Sequence, residues 1–351
     1  MEVKLGKILK YVLSLGVAAL LMYFCFRGVE WTEFAESLSG CRWWWVAASI
    51  AAGVLSNWFR SERWREILLP VDPQTGHLST FNAVNIGYLA NFAFPRIGEL
   101  VRCGVVSKDS RNGKAGYDRV LGTVVTERSL DMLVMLLILF LFLAFRWERF
   151  GSFFVEKIWG PLSGRIDFCL WWIVLAAVLL AVLAAVLLVR FRKSNALAAR
   201  VWGFVRGIWD GVVSCFRMEG WWKFLVYTVL IWLMYFLMSY TSMRAVPMLD
   251  GLTPADAMFL MLAGSLGWVV PVPGGFGAFH YIVALALSTV YGLPFELGIV
   301  FATVSHESQS LMMAVTGFVS YAAETVGKWR GKPAADTDGS CDENDDKPHD
   351  I

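Results

Sequence analysis

Asn91-Phe-Ala-Phe-Pro-Arg-Ile-Gly-Glu-Leu-Val-Arg102 breaks an apolar segment with a proline, a glycine and three ionisable side chains. Proline suits the first turn of a helix, where no backbone donor is needed. The stretch therefore reads as a break at Pro95 and a new helix on which Arg96, Glu99 and Arg102 recur every three residues and share a face. The N–H groups at such a helix start favour an anion, and arginine grips phosphate with two parallel bonds. The same residues also fit a plainer role: an Arg96–Glu99 pair that holds a hairpin shut, and an Arg102 that marks a membrane interface.

The surroundings of this stretch are those of a membrane protein. The chain is 57% hydrophobic, against about 45–50% for soluble domains. The excess is gathered into segments at about 9–26, 43–59, 79–95, 120–143, 170–190, 222–243, 255–270, 275–291 and 298–322. Most are close to the length that crosses a hydrocarbon core. Tryptophans cluster at segment ends (Trp43–Trp45, Trp171, Trp172, Trp221, Trp222), where indoles favour the headgroup level. Trp268 reads instead as core packing. A net charge of +2 leaves no basic patch for nucleic acid. The six cysteines include no CxxC pair, which argues against a disulfide scaffold or zinc ribbon. The first segment follows Lys4, Lys7 and Lys10 but has no small-residue cleavage site, so it reads as a retained span.

Basic residues set the expected topology. Lys4, Lys7 and Lys10 put the N-terminus in the cytoplasm, and the loop with Glu30, Glu33 and Glu36 lies outside. Arg60, Arg63 and Arg65 mark a cytoplasmic loop, as do Arg102, Lys108, Arg111, Lys114 and Arg119. Segment 79–101, with Asn82, Asn85, Asn91 and Pro95, lies between those two loops and so enters and leaves on one side, as a re-entrant hairpin. The basic stretch Arg190–Arg217 reads as lying inside. Segments 255–270 and 275–291, joined through Pro271, Pro273, Gly274 and Gly275, form a second hairpin from the opposite face. Lys328, Arg330 and Lys332 bring the C-terminal side back to the cytoplasm.

The expected fold is an all-α polytopic bundle of about six full spans and two re-entrant broken hairpins. Residues 1–325 form one membrane domain, with halves about 1–195 and 196–325, and the acidic tail 333–351 is disordered and cytoplasmic. Irregular backbone at membrane depth must be buried in protein or line a wet cavity, so two broken hairpins imply a cavity. A weak repeat at an offset of about 180 residues pairs the Gly87–Gly98 stretch with Gly267–Gly277, and Glu127 with Glu307. With opposite orientations this is an inverted repeat, a pattern found in transporters.

Three further motifs carry chemistry. Glu127-Arg128-Ser-Leu-Asp131 puts three ionisable groups in one span, each costing roughly 2.5–3.5 kcal/mol when central, so they face the protein interior. They serve either a substrate or a structural ion pair. In Pro271-Val-Pro-Gly-Gly-Phe-Gly-Ala-Phe-His280, Gly274, Gly275 and Gly277 allow close backbone approach and an N–H concavity for an oxyanion, or simply a sharp turn. His306-Glu307-Ser308-Gln309 is a polar run inside a span, and Glu307 suits an arginine partner or a proton. His280 and His306 lack the HExxH or CxxC partners of a zinc set, so no metal and no cofactor is expected. No GxSxG nucleophile is present.

The order Asn91…Pro95-Arg96-x-Gly98-Glu99-x-x-Arg102, then Glu127-Arg128-x-x-Asp131, then Pro271-x-Pro273-Gly274-Gly275-x-Gly277 resembles the transmembrane domain of the lysylphosphatidylglycerol synthase/flippase family, over about residues 5–325. The resemblance implies a bundle of about eight membrane segments that handles or translocates lipid-linked headgroups. The bifunctional members carry a large cytosolic aminoacyl transferase domain after it. Here the chain runs about 30 residues beyond the last span, so lipid aminoacylation is not expected. His280 departs from the acidic residue expected there.

The leading expectation is a flippase-like transporter in the cell membrane for a phospholipid or polyprenyl-phosphate headgroup. Asn91, Arg96, Glu99, Arg102, Arg128, Gly274, Gly275 and Gly277 bind the substrate. Glu127, Asp131, His280, His306 and Glu307 balance charge or couple transport. The alternatives are a membrane transferase acting on the headgroup, or a scaffold for a lipid or glycan pathway. The partner is a membrane lipid, with room for a homo-oligomer or a pathway enzyme.

Overall fold

Because hydrocarbon offers no partner for backbone N–H and C=O groups, an apolar chain of this kind satisfies them within helices. The computed structural model describes residues 30–109, 116–160, 196–268, 270 and 272–330, with isolated positions between 16 and 27 and at 179 and 190. Most of the expected first span 9–26, nearly all of the span 170–190, the loop residues Arg111 and Lys114, Pro271 and the tail 333–351 lie outside the described residues.

The described residues form ten α-helices and no strand. The first half contains α1 (Trp31–Ser39), α2 (Trp43–Leu68), α3 (His77–Ala93), α4 (Gly98–Asp109) and α5 (Tyr117–Ser152), the last prolonged by a π-helical turn over Phe153–Trp159. The second contains α6 (Ala196–Ser214), α7 (Trp221–Ala245), α8 (Pro254–Gly267), α9 (Ala278–Tyr291) and α10 (Phe295–Arg330). Among the described residues, three helical stretches, Tyr117–Lys157, Trp221–Ala245 and Pro273–Tyr291, are long and apolar enough to cross a membrane. The chain is an all-α, multi-pass membrane protein. Its α5 turns Leu133, Leu136, Leu137 and Phe140 outward, as a lipid-facing helix does.

Element order recurs at a nearly constant displacement. Trp43 to Trp221, His77 to Pro254, Gly98 to Ala278 and Tyr117 to Phe295 are steps of 178, 177, 180 and 178 residues between helix starts. In each set a long helix is followed by a helical hairpin and then by a 36-residue helix. The first helices of the two sets, α2 and α7, pack on each other, and α10 packs on α3 and α2. Neutral polar side chains join these helices. Gln309 donates to the Ser49 hydroxyl at 2.8 Å, Ser49 meets Ser242 at 3.0 Å, and Asn57 donates to Asn85 at 3.0 Å.

Glycine sets how tightly each hairpin closes. A Cβ on Gly98 would strike the Gly87 carbonyl oxygen, and one on Gly267 would lie 2.7 Å from the Phe279 Cα. The helices therefore cross with backbone nearly touching backbone, as small residues permit in membranes. The hairpin tips meet: the Phe92 and Phe276 rings lie 6.3 Å apart. The largest apolar core, around Phe150, Phe153, Phe259 and Phe301, packs α8, α9 and α10 against the end of α5.

The structure corrects several local readings. Arg60 and Arg63 are not in a loop; α2 continues through them to Leu68. Ala196–Ser214, within the basic stretch between two apolar segments, adds a helix that the hydropathy did not mark; it packs on α5, with Gly211 against Gly122. Helix α4 begins at Gly98 rather than Pro95, so Arg96 stands in the turn before it, off the face of Glu99 and Arg102. Trp268 is 42% exposed rather than in the core.

Outside the spans, Arg42 holds both carboxylate oxygens of Asp250, at 2.9 and 2.5 Å. These bonds hold the Asp250 carboxyl below its ordinary range. A depressed folded-state pKa gives stability that is present above the unfolded-state value and lost as pH falls through the folded-state value. In thermal unfolding, the gap between wild type and Asp250→Asn is therefore expected at neutral pH and should close on acidification.

Gly98→Ala is expected to cost about 1–3 kcal/mol by overpacking. Gly104→Ala, whose Cβ meets nothing within 4 Å, is expected to be neutral or to stabilise by up to about 1 kcal/mol. Thermal unfolding in detergent reads both, and equal effects would remove the close crossing as the cause.

Candidate functional site

Glu127 is fully buried and lies at the centre of the site. It sits ten residues into α5, where each turn of the helix brings a polar side chain back to the same side. Four arginines from three helices reach it. Arg60 Nε and Arg63 Nη2, both from α2, donate to its Oε1 at 3.1 Å each. Arg128 Nη2 approaches the same oxygen at 3.2 Å. Arg102 Nη2, from α4, lies 2.8 Å from Oε2.

Asp131, one turn further along α5, shares these partners. Arg63 Nη2 lies 2.6 Å from its Oδ1, Arg60 pairs with its Oδ2, and Arg128 Nη2 stands 3.9 Å away. The spare donors go elsewhere. Arg60 Nη1 donates to the hydroxyls of Tyr88 (3.0 Å) and Tyr235 (2.6 Å), which brings in α3 and α7. The Arg102 guanidinium lies 4.6 Å from the centre of the Trp64 ring, and the Trp64 indole donates to Thr123 at 3.1 Å. An apolar cluster of Trp64, Leu68, Val84, Cys103, Val120 and Val124 packs alongside and excludes water from the arginines.

Four guanidinium groups against the carboxylates of Glu127, Asp131 and the neighbouring Glu99 leave one positive charge in excess. The cluster opens onto a cleft lined by Val84, Gly87, Tyr88, Asn91, Gly98, Glu99, Arg102 and Arg128. Arg128 is the arginine of the four that reaches outward, with 38% of its side chain exposed; the other three are at most 7% exposed. Buried donors remain: Arg102 Nε and Arg128 Nε have no hydrogen-bond partner among the described residues, nor does the acceptor Glu99 Oε2. Chemically the arrangement attracts an anion, but the enclosed space is about 20 Å³, room for a water, so a phosphate enters only if the hairpin gives way. The site shows no nucleophile paired with a base.

The structure gathers Asn91, Glu99, Arg102 and Arg128 around this cleft, with Glu127 and Asp131 behind it. Asn91 commits its Oδ1 to the N–H of Gly98 at 2.7 Å, so it also caps α4. Arg96 is exposed at the hairpin tip with φ +60°, a left-handed conformation rare outside glycine. Gly274, Gly275 and Gly277 take φ of +58°, +78° and +79° at the other tip. His280, His306 and Glu307 form a separate group beneath that second tip. Sequence reasoning missed Arg60, Arg63, Tyr88 and Tyr235. The available signal was spacing: Arg60 and Arg63 on one helical face, opposite in charge to Glu127 and Asp131.

The protein family described as Lysylphosphatidylglycerol synthase TM region matches residues 11–317. Comparison with curated proteins and with solved structures gives no match.

Removing Glu127 would leave buried arginines uncompensated. Glu127→Gln is expected to destabilise the protein by about 3–5 kcal/mol, read as a lowered Tm in detergent. An unchanged Tm would mean that the cluster does not hold the fold.

Proposed function

We propose, from the premise that the chain belongs to the lysylphosphatidylglycerol synthase transmembrane-region family, that it binds the anionic headgroup of a membrane lipid and carries it across the bilayer. The observation that carries this reading is the excess of buried guanidinium charge beside a cleft. An ionisable group at membrane depth is a functional candidate by default. Glu127 and Asp131 use only part of the positive charge, and a phosphate with its acyl or prenyl tail left in lipid supplies the missing anion. Arg128 and Arg102 grip it, Arg96 at the tip attracts it, and Glu99 limits how tightly it is held.

In this reading both hairpins are re-entrant, and the two sets of helices are an inverted pair whose tips meet around the path of the headgroup. The protein sits in the cell membrane with both ends cytoplasmic. The lipid is a phospholipid or a polyprenyl phosphate, since either provides the same phosphate chemistry.

The test is translocation of a fluorescent anionic lipid in proteoliposomes. Arg128→Ala is expected to slow it at least tenfold. Arg96→Gly removes a guanidinium while easing the left-handed backbone, so it is expected to slow transport with little change in Tm. Wild-type rates in both variants would overturn the reading. Chemical change of the lipid without movement would point to a membrane transferase.

A further inference from the structure

We propose that His280, His306 and Glu307 form a three-ligand site for a divalent transition metal of the zinc class. The site is separate from the arginine cluster and joins α9 to α10 beneath the second hairpin tip.

The first observation is geometric. Glu307 Oε1 lies 3.1 Å from His306 Nδ1 and 3.4 Å from His280 Nε2, and the three ligand atoms all fall within 4.8 Å of one another. Zinc bound to nitrogen and oxygen at about 2.0–2.2 Å has tetrahedral ligand–ligand edges of about 3.4 Å. The two separations to Oε1 fit such edges.

The second observation is the hydrogen bonding of His306. Its Nε2 lies 2.9 Å from the carbonyl oxygen of Gly274. A carbonyl only accepts, so Nε2 carries a proton and donates it. A neutral ring then turns the lone pair of Nδ1 toward a carboxylate oxygen, and two acceptors at 3.1 Å need a positive particle between them. Donation of the second ring N–H to a carbonyl is the usual support of a metal-bound histidine. The other polar group near Nδ1 is the Ser310 hydroxyl, at 3.4 Å.

The third observation is the burial of His280. His280 is fully buried; its Nε2 faces Glu307 Oε1 at 3.4 Å, and its Nδ1 has no hydrogen-bond partner among the described residues. A metal engages all three side chains at once. The rings of Trp268, Phe276 and Phe279, centred 5.0–5.3 Å from that of His306, keep the histidine dry. Glu307 is 39% exposed, so the fourth coordination position opens on its side to water or an oxyanion. A bound metal would tie the Gly274–Gly275 turn to α10. No linear motif marks this site, because the imidazole of α9 and the adjacent pair on α10 are 26 residues apart in sequence.

The test uses the full chain purified in detergent through an affinity tag without histidines. Elemental analysis is expected to find about one zinc per chain. After chelation, Co²⁺ should give the visible absorption of a tetrahedral site, which zinc itself lacks, and zinc should raise the Tm of the metal-free protein. His306→Ala and Glu307→Gln should each weaken Co²⁺ binding at least tenfold, and His280→Gln should alter the Co²⁺ spectrum. The wild-type spectrum and Tm shift do not depend on how well a variant folds. Metal-free wild type with no Co²⁺ spectrum and no Tm shift would overturn the proposal in favour of a shared proton. Equal binding by all three variants would overturn it too.

Discussion

The structure depends on one carboxylate: Glu127, shut away from water and surrounded by guanidinium groups of Arg60, Arg63, Arg102 and Arg128. Charges buried this deeply are tolerable only when partners replace the lost hydration. The partners come from α2 and α4 as well as α5, and the tyrosines that complete Arg60 come from α3 and α7. Five helices are therefore held in register by an interaction that works only if all arrive together. In hydrocarbon, apolar surface gives little reason for one helix to prefer another. A buried ion cluster supplies that preference.

The second half repeats the plan with other chemistry. In each hairpin a glycine of the first helix, Gly87 or Gly267, meets the start of the second. In each set the second hairpin helix sends one side chain to a glutamate on the following long helix. Arg102 meets Glu127, and His280 meets Glu307. The two tips both require left-handed backbone, supplied by Arg96 in one and by glycines in the other. An arginine in that conformation costs more than glycine would, which is consistent with its side chain serving a purpose at the tip. The first set thus concentrates fixed positive charge, and the second concentrates imidazole.

Much of this was legible in the chain. The apolar segments announced a helical membrane protein, because only internally bonded helices suit 57% hydrophobic sequence in blocks of this length. The cost of three ionisable groups within one span turned Glu127, Arg128 and Asp131 toward protein. Pro95, Gly98 and the Gly274–Gly277 run located both breaks, because their backbone preferences act locally.

Tertiary structure alone decided who meets whom. Arg60 and Arg63 resemble the basic end of a span, and an arginine at an interface is written the same way as one buried in an ion cluster. The difference is Glu127, 67 residues from Arg60 along the chain and 3.1 Å away in space. Arg96 left its expected helix face because Asn91 caps the helix at Gly98 instead. The His280–His306–Glu307 group exists only because two helices cross. Local preference is encoded residue by residue, whereas the pairing of buried charges is a property of packing between distant segments.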